Sequence, residues 1–177
     1  MTPGWKRRML RRLGSFVVAA AAMVVLGSIS HSYFVQRAWS IAAGHASGTA
    51  PAAIPLADRI IWAAHDLVGM LLPYGALTSI ALLIAFLIAG ALGRLSGFRV
   101  TVFGAAGALA LFTLFTVLKL VVGTVGIFGA RGAMGLAAQM AVGLLAGVLF
   151  AKLTPPRGRT AGAGRAHPRP AALSDRG

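Results

Sequence analysis

The chain alternates between long apolar runs and short segments rich in charge, glycine or proline. The apolar runs cover about residues 13–30, 67–92, 100–122 and 133–152. A helix rises about 1.5 Å per residue, so runs of this length match a bilayer core of about 30 Å. The pattern therefore predicts an all-α, polytopic membrane protein that folds as a four-transmembrane-helix bundle.

Both ends of the chain differ from this apolar middle. Residues 1–12 form a basic head with five lysine or arginine residues. Residues 154–177 hold five arginines, four prolines and four glycines, a composition typical of disorder. We therefore place the transmembrane domain at residues 13–153, between a basic head and a disordered basic tail.

The head and the first apolar run together resemble a secretory signal peptide. Ser28-Ile29-Ser30 offers small residues at which such a peptide is cleaved. An uncleaved signal anchor is the favoured interpretation, because further spans follow and the run approaches the length of a full span.

The segment between the first two apolar runs is the longest loop. From His31 to Ala43 it has no helix breaker and carries aromatic residues, so we expect the first helix to continue into the membrane interface. Gly44 to Pro55 is rich in turn-forming residues. Residues 58–92 exceed one span as a single helix, so their first two turns should lie outside or along the interface, with a kink at Pro73.

Positive charge orients the predicted helices. Of the 17 basic residues, 13 lie in the head, in the 93–99 loop or from Lys152 onward. Three lie in the opposite loops: Arg37, Arg59 and Arg131. Because cytoplasmic segments of membrane proteins are enriched in lysine and arginine, we expect both termini in the cytoplasm of a bacterial cell, with a multi-pass fold in its inner membrane.

Composition supports lipid as the main partner and argues against nucleic acid. The chain is 58% hydrophobic and 11% charged, whereas soluble domains have about 45–50% apolar and about 25% charged residues. The net charge of +14 flanks apolar runs instead of covering one face of a folded domain. The absence of cysteine excludes thiol catalysis, disulfides and cysteine-ligated metals.

Two apolar runs carry stripes of small residues at a spacing of four. One stripe comprises Ala81, Ala85, Ala89 and Gly93. The other comprises Gly135, Gln139, Gly143, Gly147 and Ala151. Small residues let helix backbones approach closely in lipid, so both faces are predicted packing surfaces, either for each other or for a partner. Packing within the chain is favoured over dimerisation, because such stripes are common inside membrane bundles.

A few polar residues lie near the predicted outer surface. Lys119 is the one charge clearly inside a span, and Asp66 is the one carboxylate near a span. Together with His65 and Arg131 they are predicted to form one polar cluster. For Lys119, snorkelling to the outer headgroups is favoured over an ion pair with Asp66. For the cluster as a whole, a structural network is favoured, while an anion-binding site and a proton-handling site stay open.

The sequence shows no catalytic pattern, and we expect a protein that is not an enzyme, uses no cofactor and binds no metal. The serine-hydrolase, zinc-protease and phosphate-loop motifs are missing. His31 and His65 end and begin adjacent runs, so a bis-histidine haem is a conceivable but disfavoured alternative. A zinc site lacks further ligands.

The apolar runs and their ends carry several short motifs: His65-Asp66-Leu67-Val68-Gly69-Met70, Tyr74, Ala85-Phe86-Leu87, Lys119, Gly129-Ala130-Arg131 and Phe150-Ala151-Lys152-Leu153. Together these motifs resemble a group of uncharacterised bacterial four-helix inner-membrane proteins of unknown function. The resemblance covers roughly residues 13–153 and implies four spans with no established activity.

These observations favour a non-enzymatic accessory or partner subunit that binds another membrane protein or a second copy of itself. No small-molecule substrate is indicated. A small transporter or channel that uses the polar cluster is the main alternative, and a haem-binding electron carrier is the weaker one.

Overall fold

The computed structural model describes residues 3–92, 98–123 and 132–154, and within these ranges the protein is helical and has no strand. The helices are α1 (Pro3–Ser47), α2 (Leu56–Leu71), α3 (Pro73–Leu92), α4 (Arg99–Val122) and α5 (Ala133–Leu153). Four of them, α1, α3, α4 and α5, are long and apolar enough to cross a membrane. The predicted all-α fold with four membrane-spanning helices is confirmed.

Helix α1 is a single helix of 45 residues, or about 67 Å at about 1.5 Å per residue. It runs from the basic head through the first apolar run and on to Ser47. It ends at Gly48, whose φ of 65° lies in the left-handed region that glycine adopts at helix ends. The backbone N–H of Thr49 closes this end by donating to the carbonyl of Gly44 at 2.9 Å.

The predicted span 67–92 is divided between two helices. Helix α2 ends at Leu71, and Pro73 is the first residue of α3. Leu72 keeps helical backbone angles, so the break comes from Pro73 itself: proline has no N–H for the helical hydrogen bond and its ring crowds the preceding turn, but it fits well at the first position of a helix. Pro73 therefore ends one helix and begins the next.

The four long helices form a ring in the order α1, α5, α4, α3. The largest contact is between α4 and α5, followed by α1 with α5 and α3 with α4, and α1 also contacts α3. Helix α2 lies outside this ring and packs on α1 and α3.

The α4–α5 contact is made by backbone against backbone. A Cβ atom at Gly107 would overlap the carbonyl of Gly143, and one at Gly147 would overlap the carbonyl of Phe103. The predicted stripe on α5 is buried, at Gly135, Gln139, Gly143, Gly147 and Ala151. Its neighbour is α4, whose glycines the sequence analysis did not single out.

The alanine stripe lies on α3 and does not face the α5 glycines across a helix pair, because α3 packs on α4 and α1. Ala89 is buried, and Ala81 and Ala85 are half-buried against the same core. Gly93 lies outside the described residues.

Aromatic rings fill the bundle near the end where α4 begins. Phe86 of α3 stacks on Phe150 of α5 with ring centroids 4.7 Å apart. Phe103 of α4 and Phe16 of α1 meet Phe86 edge to face, at 5.6 and 6.3 Å. One ring from each of the four long helices therefore meets in this cluster.

Arg99 closes the same end of the bundle. Its Nη1 donates to the carbonyls of Ala151 and Thr154 at 2.8 and 2.6 Å, and its guanidinium lies 5.3 Å from the Phe103 ring centroid. A cation at a helix C-terminus satisfies carbonyls that have no partner within the helix and complements the helix dipole.

Candidate functional site

The structure does not join Asp66 and Lys119, the two charged members of the predicted polar cluster that it describes. Asp66 is half-buried on α2, whereas Lys119 is exposed near the end of α4. No salt bridge joins Asp66 to Lys119 in the part of the chain that the structure describes. The helices explain this, because α2 packs on α1 and α3 while α4 packs on α3 and α5. Arg131, the fourth member of the predicted cluster, lies outside the described residues.

Asp66 instead lies near α1, on which α2 packs. The Asp66 side chain lies within electrostatic range of His31, which is half-buried on that helix. His65 points elsewhere: it is exposed, and its Nδ1 lies 3.0 Å from the carbonyl of Ile61 on the preceding turn. Within the described ranges, no group of three or more histidine, cysteine or acidic residues is arranged to hold a metal ion.

A different polar network lies inside the bundle. The Tyr74 hydroxyl of α3 donates to Gln139 Oε1 of α5 at 2.8 Å, and Gln139 Nε2 donates to the Gly27 carbonyl of α1 at 3.2 Å. Tyr74 is 2% exposed and Gln139 is fully buried. Gly27 has no room for a side chain, because a Cβ there would overlap the Tyr74 hydroxyl. The network therefore joins three helices through one tyrosine and one amide.

This network was not predicted, although the sequence carries a signal for it. The chain has two glutamines, Gln36 and Gln139, and both are buried and hydrogen-bonded in the structure. An amide within an apolar run is costly in lipid unless another helix supplies a partner. The spacing of four predicts only that Gln139 lies on the α5 packing face, and it predicts no contact for Tyr74.

A seam of polar residues follows one face of α1 at a spacing of four: Ser28, Ser32, Gln36 and Ser40. Gln36 Nε2 donates to Ser32 Oγ at 2.9 Å and to the Arg59 carbonyl at 3.0 Å. Ser40 Oγ donates to the Ala52 carbonyl at 2.7 Å. Ser28 is fully buried, and its hydroxyl has no hydrogen-bond partner among the described residues. The polar seam thus joins α1 to α2 and to the segment that precedes α2, and it leaves the Ser28 hydroxyl unpaired among the described residues.

The C-terminal part of α1 and the whole of α2 form a helical hairpin, which we define as residues 31–71. Trp39 and Trp62 hold its two helices together edge to face, with ring centroids 5.5 Å apart. No residue of α2 is buried. The hairpin is therefore attached to the bundle along α1 and α3 but remains open on its other faces.

A cleft of about 360 Å³ opens in the hairpin. It is lined by Tyr33, Gln36, Arg37, Ser40, Ile41, Pro51 and Arg59. We refer to it as the hairpin cleft. It combines two guanidinium groups with hydroxyl and amide groups, so it offers hydrogen-bond donors to a ligand.

Helix α2 also carries an apolar stripe on a face turned away from α1. The stripe comprises Leu56, Ile60, Ala64, Val68 and Leu71, and all five residues are exposed. Leu56 and Val68 are the most open, at 73% and 75%. The hairpin therefore presents a polar cleft and an apolar stripe as two separate surfaces.

Comparison with protein-family models, with curated proteins and with solved structures finds no match for the chain.

Proposed function

We propose that this protein is a non-enzymatic membrane subunit whose four-helix bundle anchors the hairpin, and whose hairpin binds a partner membrane protein through the α2 stripe. The observation that carries the proposal is the exposure of that stripe on a helix with no buried residue. Contiguous apolar surface of this kind is typical of interaction sites.

The glycine surfaces of the bundle are already used within the chain. Gly143 and Gly147 approach the backbone of α4 so closely that a side chain at either position would overlap it. A second copy or a foreign helix has no access to this face while α4 occupies it. The stripe on α2 is therefore a better candidate for partner binding than the predicted glycine face.

Lipid alone does not account for the whole stripe. Counted from Arg12, a bilayer core of about 30 Å ends near Ser32 of α1. Trp39 lies about 10 Å farther along α1, beside Trp62, and Leu56 lies about 9 Å beyond Trp62 along α2. A headgroup layer of about 5–8 Å does not reach Leu56, the outermost residue of the stripe. A protein partner supplies the apolar cover that water and headgroups cannot.

We further propose that the protein lies in a bacterial inner membrane with both termini in the cytoplasm, so that the hairpin stands on the outer side. The support is the distribution of basic residues, of which 13 of 17 flank the apolar helices on the side of the termini. The partner is then a membrane protein with an extracytoplasmic surface.

Site-specific photo-crosslinking in native membranes tests the partner. A benzophenone amino acid at Ile60 is expected to give one discrete protein adduct that disappears when Val68 is changed to Ser. The matched control is Leu83 of α3, which is also exposed and apolar but lies within a span. The proposal fails if Ile60 and Leu83 give the same diffuse lipid adducts.

The polar seam favours a second candidate function, transport of a small polar solute or a proton. Ser28, Ser32 and Gln36 form a buried polar line that leads from the hairpin towards the middle of the bundle, and the Ser28 hydroxyl is free to bind a solute or water. Solute flux in liposomes that falls in Ser28→Ala but not in Ser30→Ala would favour transport over the partner role.

A further inference from the structure

The two arginines of the hairpin cleft have no acidic counterpart there. Arg37 belongs to α1 and Arg59 to α2, and both line the cleft, whose lining contains no aspartate or glutamate. Neither arginine forms a salt bridge with any residue in the described ranges. Two uncompensated guanidinium groups that converge on one cleft favour an anionic ligand.

Most guanidinium donors in the cleft remain available. Arg37 uses Nη1 for one long contact to the Tyr33 hydroxyl, at 3.5 Å. Arg59 uses Nε for the Ile54 carbonyl, at 3.2 Å, which holds its side chain in place. The Nη groups of Arg59 make no hydrogen bond within the described part of the chain. Arg59 is thus positioned by one donor and presents its others, as a phosphate-binding arginine does.

The position of the cleft along α1 indicates the source of the anion. The residues that line it begin at Tyr33, just beyond the estimated end of the hydrocarbon core near Ser32, and reach Ser40 about 10 Å farther. The nearby Trp39 and Trp62 are of the type enriched at membrane interfaces. The inner part of the cleft, at Tyr33 and Gln36, lies at the depth of phospholipid headgroups, and the bond from Gln36 to the Arg59 carbonyl holds Arg59 at that level.

We propose that the hairpin cleft binds a phosphate group, with Arg37 and Arg59 as its two cationic ligands and an anionic phospholipid headgroup as its source. Tyr33 adds a hydroxyl, while Ile41 and Pro51 provide apolar surface beside the charged site. The stripe of α2 does not line the cleft, so phosphate binding does not depend on the proposed partner.

Native mass spectrometry of the full-length protein in neutral detergent tests the site. The probes are short-chain phosphatidylglycerol, phosphatidylcholine with the same chains, and inorganic phosphate. We expect phosphatidylglycerol to bind with at least tenfold higher affinity to the wild type than to Arg37→Gln/Arg59→Gln. The matched control, Arg7→Gln/Arg11→Gln, removes the same charge from the exposed head and is expected to bind like the wild type.

The variant Arg37→Lys/Arg59→Lys guards against a folding defect, because it keeps the charge and removes only the planar guanidinium geometry. Its affinity is expected to lie between those of the wild type and the glutamine variant. Inorganic phosphate that binds with the same dependence on the arginines would assign the site to a free anion; binding of phosphatidylglycerol alone assigns it to the lipid. The proposal is overturned if the wild type, Arg37→Gln/Arg59→Gln and Arg37→Lys/Arg59→Lys all bind phosphatidylglycerol with equal affinity. It is also overturned if Arg7→Gln/Arg11→Gln loses as much affinity as Arg37→Gln/Arg59→Gln.

Discussion

The α4–α5 interface and the α1–α2 hairpin join neighbouring helices in opposite ways. Between α4 and α5, glycines let the two backbones touch, as at Gly107 and Gly143. Between α1 and α2, contact depends on longer side chains, such as the Trp39–Trp62 pair and the bond from Gln36 to the Arg59 carbonyl. The first contact excludes every other group, while the second leaves a cleft of about 360 Å³.

This difference separates the anchor of the molecule from its candidate functional part. In lipid, helices gain little from hydrophobic burial against each other, so backbone contact and hydrogen bonds must hold the bundle together. The hairpin packs less closely, and it keeps hydrogen-bond donors and apolar side chains exposed. Substitutions in the two regions should therefore have different consequences.

The largest effect is expected from filling the α4–α5 contact. Gly147→Leu should destabilise the bundle by about 3 kcal/mol, because the new side chain meets the Phe103 backbone, which cannot move as a side chain could. Unfolding in mixed micelles followed by circular dichroism measures the change. Gly69→Ala on α2 is the matched control, since a Cβ there meets nothing within 4 Å. It should be neutral or stabilise by up to about 1 kcal/mol, through higher helix propensity. Equal losses of unfolding free energy in Gly147→Leu and Gly69→Ala would contradict the claim that the α4–α5 interface is more closely packed than the hairpin.

The next effect is expected at the buried amide. Gln139→Leu should cost about 2 kcal/mol, because it leaves the buried Tyr74 hydroxyl without its acceptor and removes the bond to the Gly27 carbonyl. Replacing Gln36 with Leu in the hairpin should change bundle unfolding less, although it breaks a comparable number of bonds. The same unfolding assay compares the two. A larger loss of unfolding free energy in Gln36→Leu than in Gln139→Leu would mean that the hairpin contributes more to stability than the buried amide of the bundle.

A smaller effect is expected from Tyr74→Phe, which removes one hydroxyl and keeps the ring. Hydrogen bonds between membrane helices contribute about 0.6 kcal/mol on average and at most about 1.7, so a loss of about 1 kcal/mol is expected. A double-mutant cycle with Gln139→Leu should show a coupling of similar size. Additive losses would mean that the two side chains do not interact.

The smallest effect on stability is expected in the α2 stripe. Ile60→Ser with Val68→Ser should change the free energy of unfolding by less than about 0.5 kcal/mol for each site, because both side chains are exposed. The same pair should abolish the adduct at a crosslinker placed on Leu56. A strong loss of stability with the adduct retained would assign the stripe to folding and not to binding.

Elements of the fold that depend on local pattern were predictable. The lengths of apolar runs predicted four membrane-spanning helices, because lipid requires each span to satisfy its own backbone hydrogen bonds. The small residues of α5 predicted a packing face, and Gly143 and Gly147 are buried there.

The choice of neighbours was not predictable from pattern alone. The position of α2 beside α1 separates Asp66 from Lys119, although their places near adjacent helix ends suggested a pair. The bond from Tyr74 to Gln139 crosses the ring between helices that are not sequence neighbours. Such contacts depend on the order of helices around the ring, which composition, spacing and charge do not determine. Whether His65 and Arg131 take part in a site stays a prediction.

Cysteine labelling that determines on which side of the membrane the hairpin lies is the most direct test of the proposed topology and function. The chain has no cysteine, so single-cysteine variants report unambiguously in intact cells. Ala46→Cys at the exposed end of α1 is expected to react with a membrane-impermeant maleimide from outside, whereas Lys6→Cys should react only after lysis. Labelling of Lys6→Cys in intact cells, with Ala46→Cys protected until lysis, would contradict it.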